Sequence, residues 1–99
     1  MAQNPLRIVA RIVAKPDRIE ETRALLVSLI APTRKEPGCL SYELLQNLAD
    51  PADFTFVEKW ESEAAFAAHL ATEHLKAAFA KAPELVAAPP DIRQYAVVQ

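Results

Sequence analysis

Apolar and polar positions alternate over residues 6–14, LRIVARIVA: Leu6, Ile8, Ala10, Ile12 and Ala14 on one face, Arg7, Val9, Arg11 and Val13 on the other. A period of two rich in β-branched residues predicts a strand. Its wholly apolar face should pack on helices, and its mixed face should meet water or a partly polar cavity. Lys15-Pro16-Asp17 ends this strand, and the period then lengthens. Ile19, Leu26, Leu29, Ile30 and Thr33 share one side of a helix, leaving Arg18, Glu21, Arg34 and Lys35 wet. Asp17 is placed to cap that helix, with Glu20 completing a capping box. Pro32 removes an intrahelical bond and should kink the last turn or end the regular helix near Ile30. Pro37-Gly38 closes the segment, with Gly38 free to take a positive φ.

A second strand is expected over 39–47, with Leu40, Tyr42 and Leu44 on one face and Cys39, Ser41, Glu43 and Leu45 on the other. After a turn at 48–53, a third strand over 54–60 sets Phe54, Phe56, Glu58 and Trp60 against Thr55, Val57 and Lys59. The short link predicts an antiparallel hairpin. Ser62 is a good N-cap for the next helix, on which Phe66, His69 and Leu70 share a face. Thr72 reads as a second cap, so the helix should break there and restart, carrying Leu75, Ala78 and Phe79 inward. The Pro-rich stretch 81–91, KAPELVAAPPD, connects to a last strand over 92–98.

The order β-α-β-β-α-β predicts an α+β, ferredoxin-like domain: an antiparallel sheet with its helices on one face. Residues 1–5 read as a tail and 6–99 as one domain. The other sheet face, carrying Val9, Val13 and several aromatics, is left uncovered, and a two-fold dimer with sheets face to face is the expected cover. The apolar fraction of 52%, in a 99-residue chain with a single Gly, strengthens that expectation. A net charge of −2 with interspersed signs and no basic stripe argues against nucleic acid. No apolar run is long enough to span a membrane. Arg7 and Arg11 interrupt the N-terminal apolar run, so it does not read as a signal peptide, and a cytoplasmic location is expected. One cysteine, Cys39, excludes an internal disulfide framework and reads as a packed thiol.

Candidate chemistry concentrates in EKWESEAAFAAHLATEH, residues 58–74. Glu58 lies among Phe56, Val57 and Trp60. It is either a desolvated carboxylate suited to proton transfer or half of an ion pair with Arg7, Arg11 or Arg93. Trp60 offers a flat wall to an aromatic ligand or fills space beside a helix. His69, on the inward helical face, is a base or a satisfied core histidine, while His74 is placed to hydrogen-bond locally. As metal ligands the two histidines are a poor pair. Five positions on an unbroken helix separate them by roughly 140°, and no third ligand is suitably spaced. Tyr42 and Tyr95 are strand phenols that either contact a substrate oxygen or pack in the dimer interface.

The segments EPGCLSYELLQN and FTFVEKWESEAAFAAHLATEHLKAAFAK resemble the antibiotic biosynthesis monooxygenase family, in its small quinol-monooxygenase-like branch. The resemblance rests on Glu36-Pro37-Gly38-Cys39, on Glu58 and Trp60, and on His69, Thr72 and His74. It implies a dimeric ferredoxin-like α+β barrel. It also implies oxygenation of an electron-rich phenol or quinol by O₂ with no cofactor and no metal. In that expectation His69 accepts the proton, Glu58 tunes the site, and Trp60 and Phe56 form the aromatic wall, with His74, Tyr42 and Arg11 contributing to substrate binding. No nucleotide, phosphate or zinc motif is visible. Related branches imply other chemistry. One degrades haem with an Asn, Trp and His set, but Asn4 precedes the first strand here. Another isomerises a small phosphorylated signalling metabolite, for which Arg7 or Arg11 would have to enter the pocket. A non-catalytic dimeric binding or stress-response protein would have a pocket too small for an aromatic ring.

Overall fold

The structure, a computed structural model, describes residues 5–99. The expected tail, Pro5 apart, and Asn4 lie outside the described residues. Four strands and four helical segments follow in the order β1 (Leu6–Val13), α1 (Ile19–Ser28), α2 (Ile30–Arg34), β2 (Cys39–Gln46), β3 (Asp53–Trp60), α3 (Glu63–Leu70), α4 (Glu73–Leu85) and β4 (Asp91–Tyr95). The sheet order is β2-β3-β1-β4, and every pairing is antiparallel. This is the ferredoxin-like arrangement expected from the element order. No described helix is long and apolar enough to cross a membrane.

The alternation in β1 and β3 translates directly into layers. Ile8, Ala10 and Ile12 of β1 and Phe54, Phe56 and Trp60 of β3 are buried, facing Leu26 of α1, Phe66 of α3 and Leu75 and Ala78 of α4. The register sets Ala10 opposite Phe56 and Ile12 opposite Phe54, so small and large side chains fill one layer together. The opposite face carries Arg7, Val9, Arg11 and Val13 beside Thr55, Val57 and Lys59. The aromatics expected there are instead on the helix side. Tyr42, Phe54, Phe56 and Trp60 are all buried, and only Tyr95, paired with Arg7, stands on the open face.

Several local expectations are corrected. Asp17 does not cap α1: the N-cap is Arg18, without a side-chain bond. The backbone first closes a turn through Arg18 N–H to the Lys15 carbonyl at 2.9 Å, which uses Asp17 as a turn residue, and Glu20 pairs with Arg23 at 3.0 Å. Leu40 is 50% exposed because an irregularity between Cys39 and Ser41 breaks the alternation of β2. Residues 81–85 continue α4 rather than forming a connector. Pro83 is accommodated inside the helix, and buried Leu85 anchors its end. Phe79 is inward only in part: it is 40% exposed while lining the space between helices and sheet. β4 ends at Tyr95, short of the strand expected to reach 98.

Other local signals are realised. The first helix stops at Leu29 and resumes as α2 around Pro32. Ser62 Oγ accepts from Ala65 N–H at 3.1 Å, and Thr72 Oγ1 accepts from Leu75 N–H at 3.4 Å, so two side-chain caps start α3 and α4.

Candidate active site

A cavity opens between the inner sheet face and the helices. Phe56, Tyr42, Ala10 and Ile12 line its sheet side, with Leu26, Phe66 and Leu75 opposite and Glu58 and His69 as its acid–base groups beside the Tyr42 phenol. Among the described residues no Lys or Arg lines it. Leu70, Phe79 and Ile92, each about two-fifths exposed, also line it and mark its mouth. The cavity volume is about 60 Å³. At roughly 10–15 Å³ per water, that holds a handful of waters, less than half of the roughly 150 Å³ that takes up a benzene ring, so a ring has to reach in through the mouth.

Glu58 points inward from β3 and is 4% exposed. Its Oε1 accepts the indole N–H of Trp60, two residues along the same strand face, at 2.8 Å. This bond replaces the arginine ion pair considered above. Burial pushes the carboxyl up to about 7; the indole bond opposes this, and the nearby charge of Glu36 adds to it. Near neutral pH such a group can either give or take a proton.

His69 is 2% exposed on α3. Its Nδ1 lies 2.8 Å from Glu36 Oε2. The ring sits with its centroid 4.6 Å from that of Trp60, and Tyr42 meets it edge-on at 5.7 Å. With Nδ1–H donated to the carboxylate, the proton-free Nε2 remains for a ligand. Burial lowers the pKa of His69, while Glu36 pulls it back up and His74 lowers it further. The ring is therefore favoured as neutral imidazole.

Glu36 is the residue that periodicity could not assign. It follows α2 in the Glu36-Pro37-Gly38-Cys39 turn, closed by Cys39 N–H to the Glu36 carbonyl at 3.2 Å. Gly38 takes φ 85, and its carbonyl accepts Glu61 N–H at 2.9 Å, which ties the turn to the start of α3. A Cβ at Gly38 would come within 2.5 Å of the Ala65 Cβ, so glycine lets the turn lie against the helix. Glu36 Oε2 thereby reaches both His69 Nδ1 and, at 2.7 Å, His74 Nε2. His74 does not bond locally as expected. The break at Ala71 and Thr72 removes the separation that an unbroken helix would impose. Thr72 Oγ1 donates to the His69 carbonyl at 2.7 Å while accepting from α4, fixing the joint. The expected lack of a third metal ligand is corrected too, since a donor atom from each of Glu36, His69 and His74 lies within 4.8 Å of the others. The only prior sign of Glu36 was its place in the family-like turn.

Of the expected site residues, His69, Glu58, Phe56 and Tyr42 line the cavity, while Trp60 and His74 stand behind it as partners of Glu58 and Glu36. Arg11 does not join them. It is on the open sheet face, its Nε 2.9 Å from Asp53 Oδ1. Arg7 shares that face. An anion site in the cavity, needed for a phosphorylated substrate, is thus not formed by either arginine. Buried Tyr42 stacks on Phe56 at 4.6 Å, and burial raises its hydroxyl pKa well above the ordinary value. Cys39 is half-buried and its thiol pKa is raised, first by burial and then by Glu36 and Glu58, which keeps it a poor nucleophile.

The antibiotic biosynthesis monooxygenase family model matches residues 5–81, a span that contains Glu36, Glu58, Trp60, His69 and His74. The chain belongs to that family. YcnE of Bacillus subtilis, which bears a provisional monooxygenase name, is 36% identical over 83 residues, covering 84% of this chain and 87% of its own. The uncharacterized protein sll1783 of Synechocystis is 35% identical over 98 residues, spanning 99% of this chain and 67% of that one. The crystal structure of PA3566 from Pseudomonas aeruginosa superimposes with a TM-score of 0.92 at 34% identity, covering 100% of this chain and 99% of that one. Family and relatives support a general monooxygenase-like function.

Proposed function

We propose that this protein oxidises a small electron-rich phenol or hydroquinone with O₂, without flavin or metal in the chemical step, and that it works as a homodimer. The observation that supports this most is the seating of His69. It is a neutral imidazole with Nδ1 held by Glu36 and its ring at an apolar cavity whose mouth lies at Leu70, Phe79 and Ile92.

In this reading the substrate hydroxyl gives its proton to His69 Nε2. The phenolate formed is electron-rich enough to pass one electron to O₂. The resulting radical pair combines into a carbon–oxygen bond, and the peroxide then collapses with loss of water. A hydroquinone and one O₂ thus give a hydroxyquinone and one water. Glu58, poised near neutrality, returns a proton to the departing oxygen. Phe56 and Tyr42 hold the ring, and the largely apolar lining, without Lys or Arg among the described residues, keeps the anion reactive rather than paired.

The test is oxygen uptake by chelator-treated protein over a panel of reduced quinols. Uptake should exceed autoxidation and fall by about 10²–10⁴ in His69→Ala, the usual contribution of a positioned base. No uptake above autoxidation across the panel would reject the reading.

A further inference from the structure

We infer that Glu36, His69 and His74 form a three-donor site for a divalent first-row transition ion of the zinc class. Two imidazole nitrogens and a carboxylate oxygen, all within 4.8 Å of one another, are the donor set that catalytic zinc sites use, with coordination positions left for water. The imidazoles select against magnesium and calcium, which take oxygen donors. The donors come from three separately anchored places: the turn after α2, the last turn of α3 and the first turn of α4. Their joints are fixed, at Gly38 by its backbone bond to Glu61 and at Thr72 by its bonds to His69 and Leu75. His69 and Glu36 side chains are 2% and 11% exposed, and His74 at 26% gives an entry route from solvent. Both ring nitrogens already converge on one oxygen, at 2.8 and 2.7 Å.

An ion there takes the lone pairs of His69 Nδ1 and His74 Nε2. Each ring keeps one proton, moved to its far nitrogen, so His69 Nε2 becomes protonated and ceases to be a base. The loaded protein is then the resting form of the enzyme proposed above. The binding itself does not rest on that reading, because it is measured without substrate.

The test uses the full chain, made without a polyhistidine tag, stripped with chelator and titrated with Co²⁺ and then Zn²⁺. One ion per chain should bind, with visible Co²⁺ bands that Zn²⁺ abolishes. Nitrogen-15 spectra of the wild-type histidines should show both His69 Nδ1 and His74 Nε2 shifting together with added Zn²⁺. Glu36→Gln and His74→Ala, checked for native circular dichroism, should each weaken binding by more than the ~10–100-fold that loss of an outer partner costs. Wild-type protein that takes up no ion at one equivalent, or whose two histidine signals do not move, overturns the inference. So does affinity unchanged in both variants.

Discussion

The indole N–H of Trp60 is bonded at 2.8 Å to Glu58 Oε1, both side chains being buried on the inner face of one strand. The neutral donor holds the carboxyl in place without supplying a countercharge. Burial therefore dominates, and the pKa rises from 4.5 to about 7. The folded state binds the proton more tightly than the unfolded state does. This residue's contribution to stability is accordingly full below about pH 4.5 and is lost as pH rises to about 7. At about 1.4 kcal/mol per pH unit the loss is roughly 3 kcal/mol. Glu58→Gln keeps an acceptor for Trp60 and cannot ionise. It should match wild type at pH 4 and exceed it by up to roughly 3 kcal/mol at pH 8. Urea melts at the two pH values measure this, and a variant equally destabilised at both would disprove the account.

In metal-free protein, Glu36→Gln should act on His69 rather than on substrate affinity. The carboxylate accepts from His69 Nδ1 and His74 Nε2, while an amide can also donate and so fixes neither tautomer. Glu36 also raises the His69 pKa, so its neutralisation lowers it further. For the proposed quinol oxidation, kcat should fall by about 10²-fold or more with little change in KM. The pH profile should shift to lower pH. A KM effect alone would show that Glu36 only shapes the cavity.

How far the sequence reached depends on the kind of signal. The faces of β1 and β3 were legible because period two over eight residues leaves no alternative side for Ile8 or Phe56. The caps at Ser62 and Thr72 were legible because a hydroxyl just before a helical run has one main local use. Glu58, His69, Phe56 and Tyr42 could be named as candidates from residue type and face. Glu36 could not, because its partners are 33 and 38 residues away and the turn that delivers it depends on Gly38 fitting against Ala65. Arg11 was misplaced for a related reason. The alternation set it opposite the core face, but only the pairing with β3 reveals Asp53 as its partner. The Asp17 cap failed because turn and cap compete for the same residue, and the closing bond from Arg18 to Lys15 decides it.

Gly38→Ala tests the turn itself. At φ 85 a Cβ costs about 1–2 kcal/mol. The approach of 2.5 Å to Ala65 adds an overpacking cost of about 1–3 kcal/mol. The total should be at least about 2 kcal/mol in urea unfolding. Ala65→Gly in the Gly38→Ala background removes the clash but not the backbone strain. It should restore the His74 and His69 signals perturbed by displacement of Glu36 more fully than it restores stability. Recovery of neither would place the strain elsewhere.

The open sheet face gives the last prediction. Val57 pairs with Val9 and with Glu43, and Val9 pairs with Arg93, so one row across the sheet has two apolar side chains at its centre and opposite charges at its ends. Related by a two-fold axis, such a row is self-complementary: the valines meet, and each glutamate approaches an arginine of the other copy. Leu45 at 48% and Tyr95 at 46% exposure flank it and would lose most of that exposure. Sedimentation equilibrium at micromolar concentration should therefore give twice the chain mass of 10.9 kDa. Val57→Asp places a charge at the centre, where it has no partner, and should give monomers with unchanged helix and sheet content. A wild-type mass of one chain would remove the homodimer from the proposal. Val57→Asp remaining dimeric would show that another surface joins the copies.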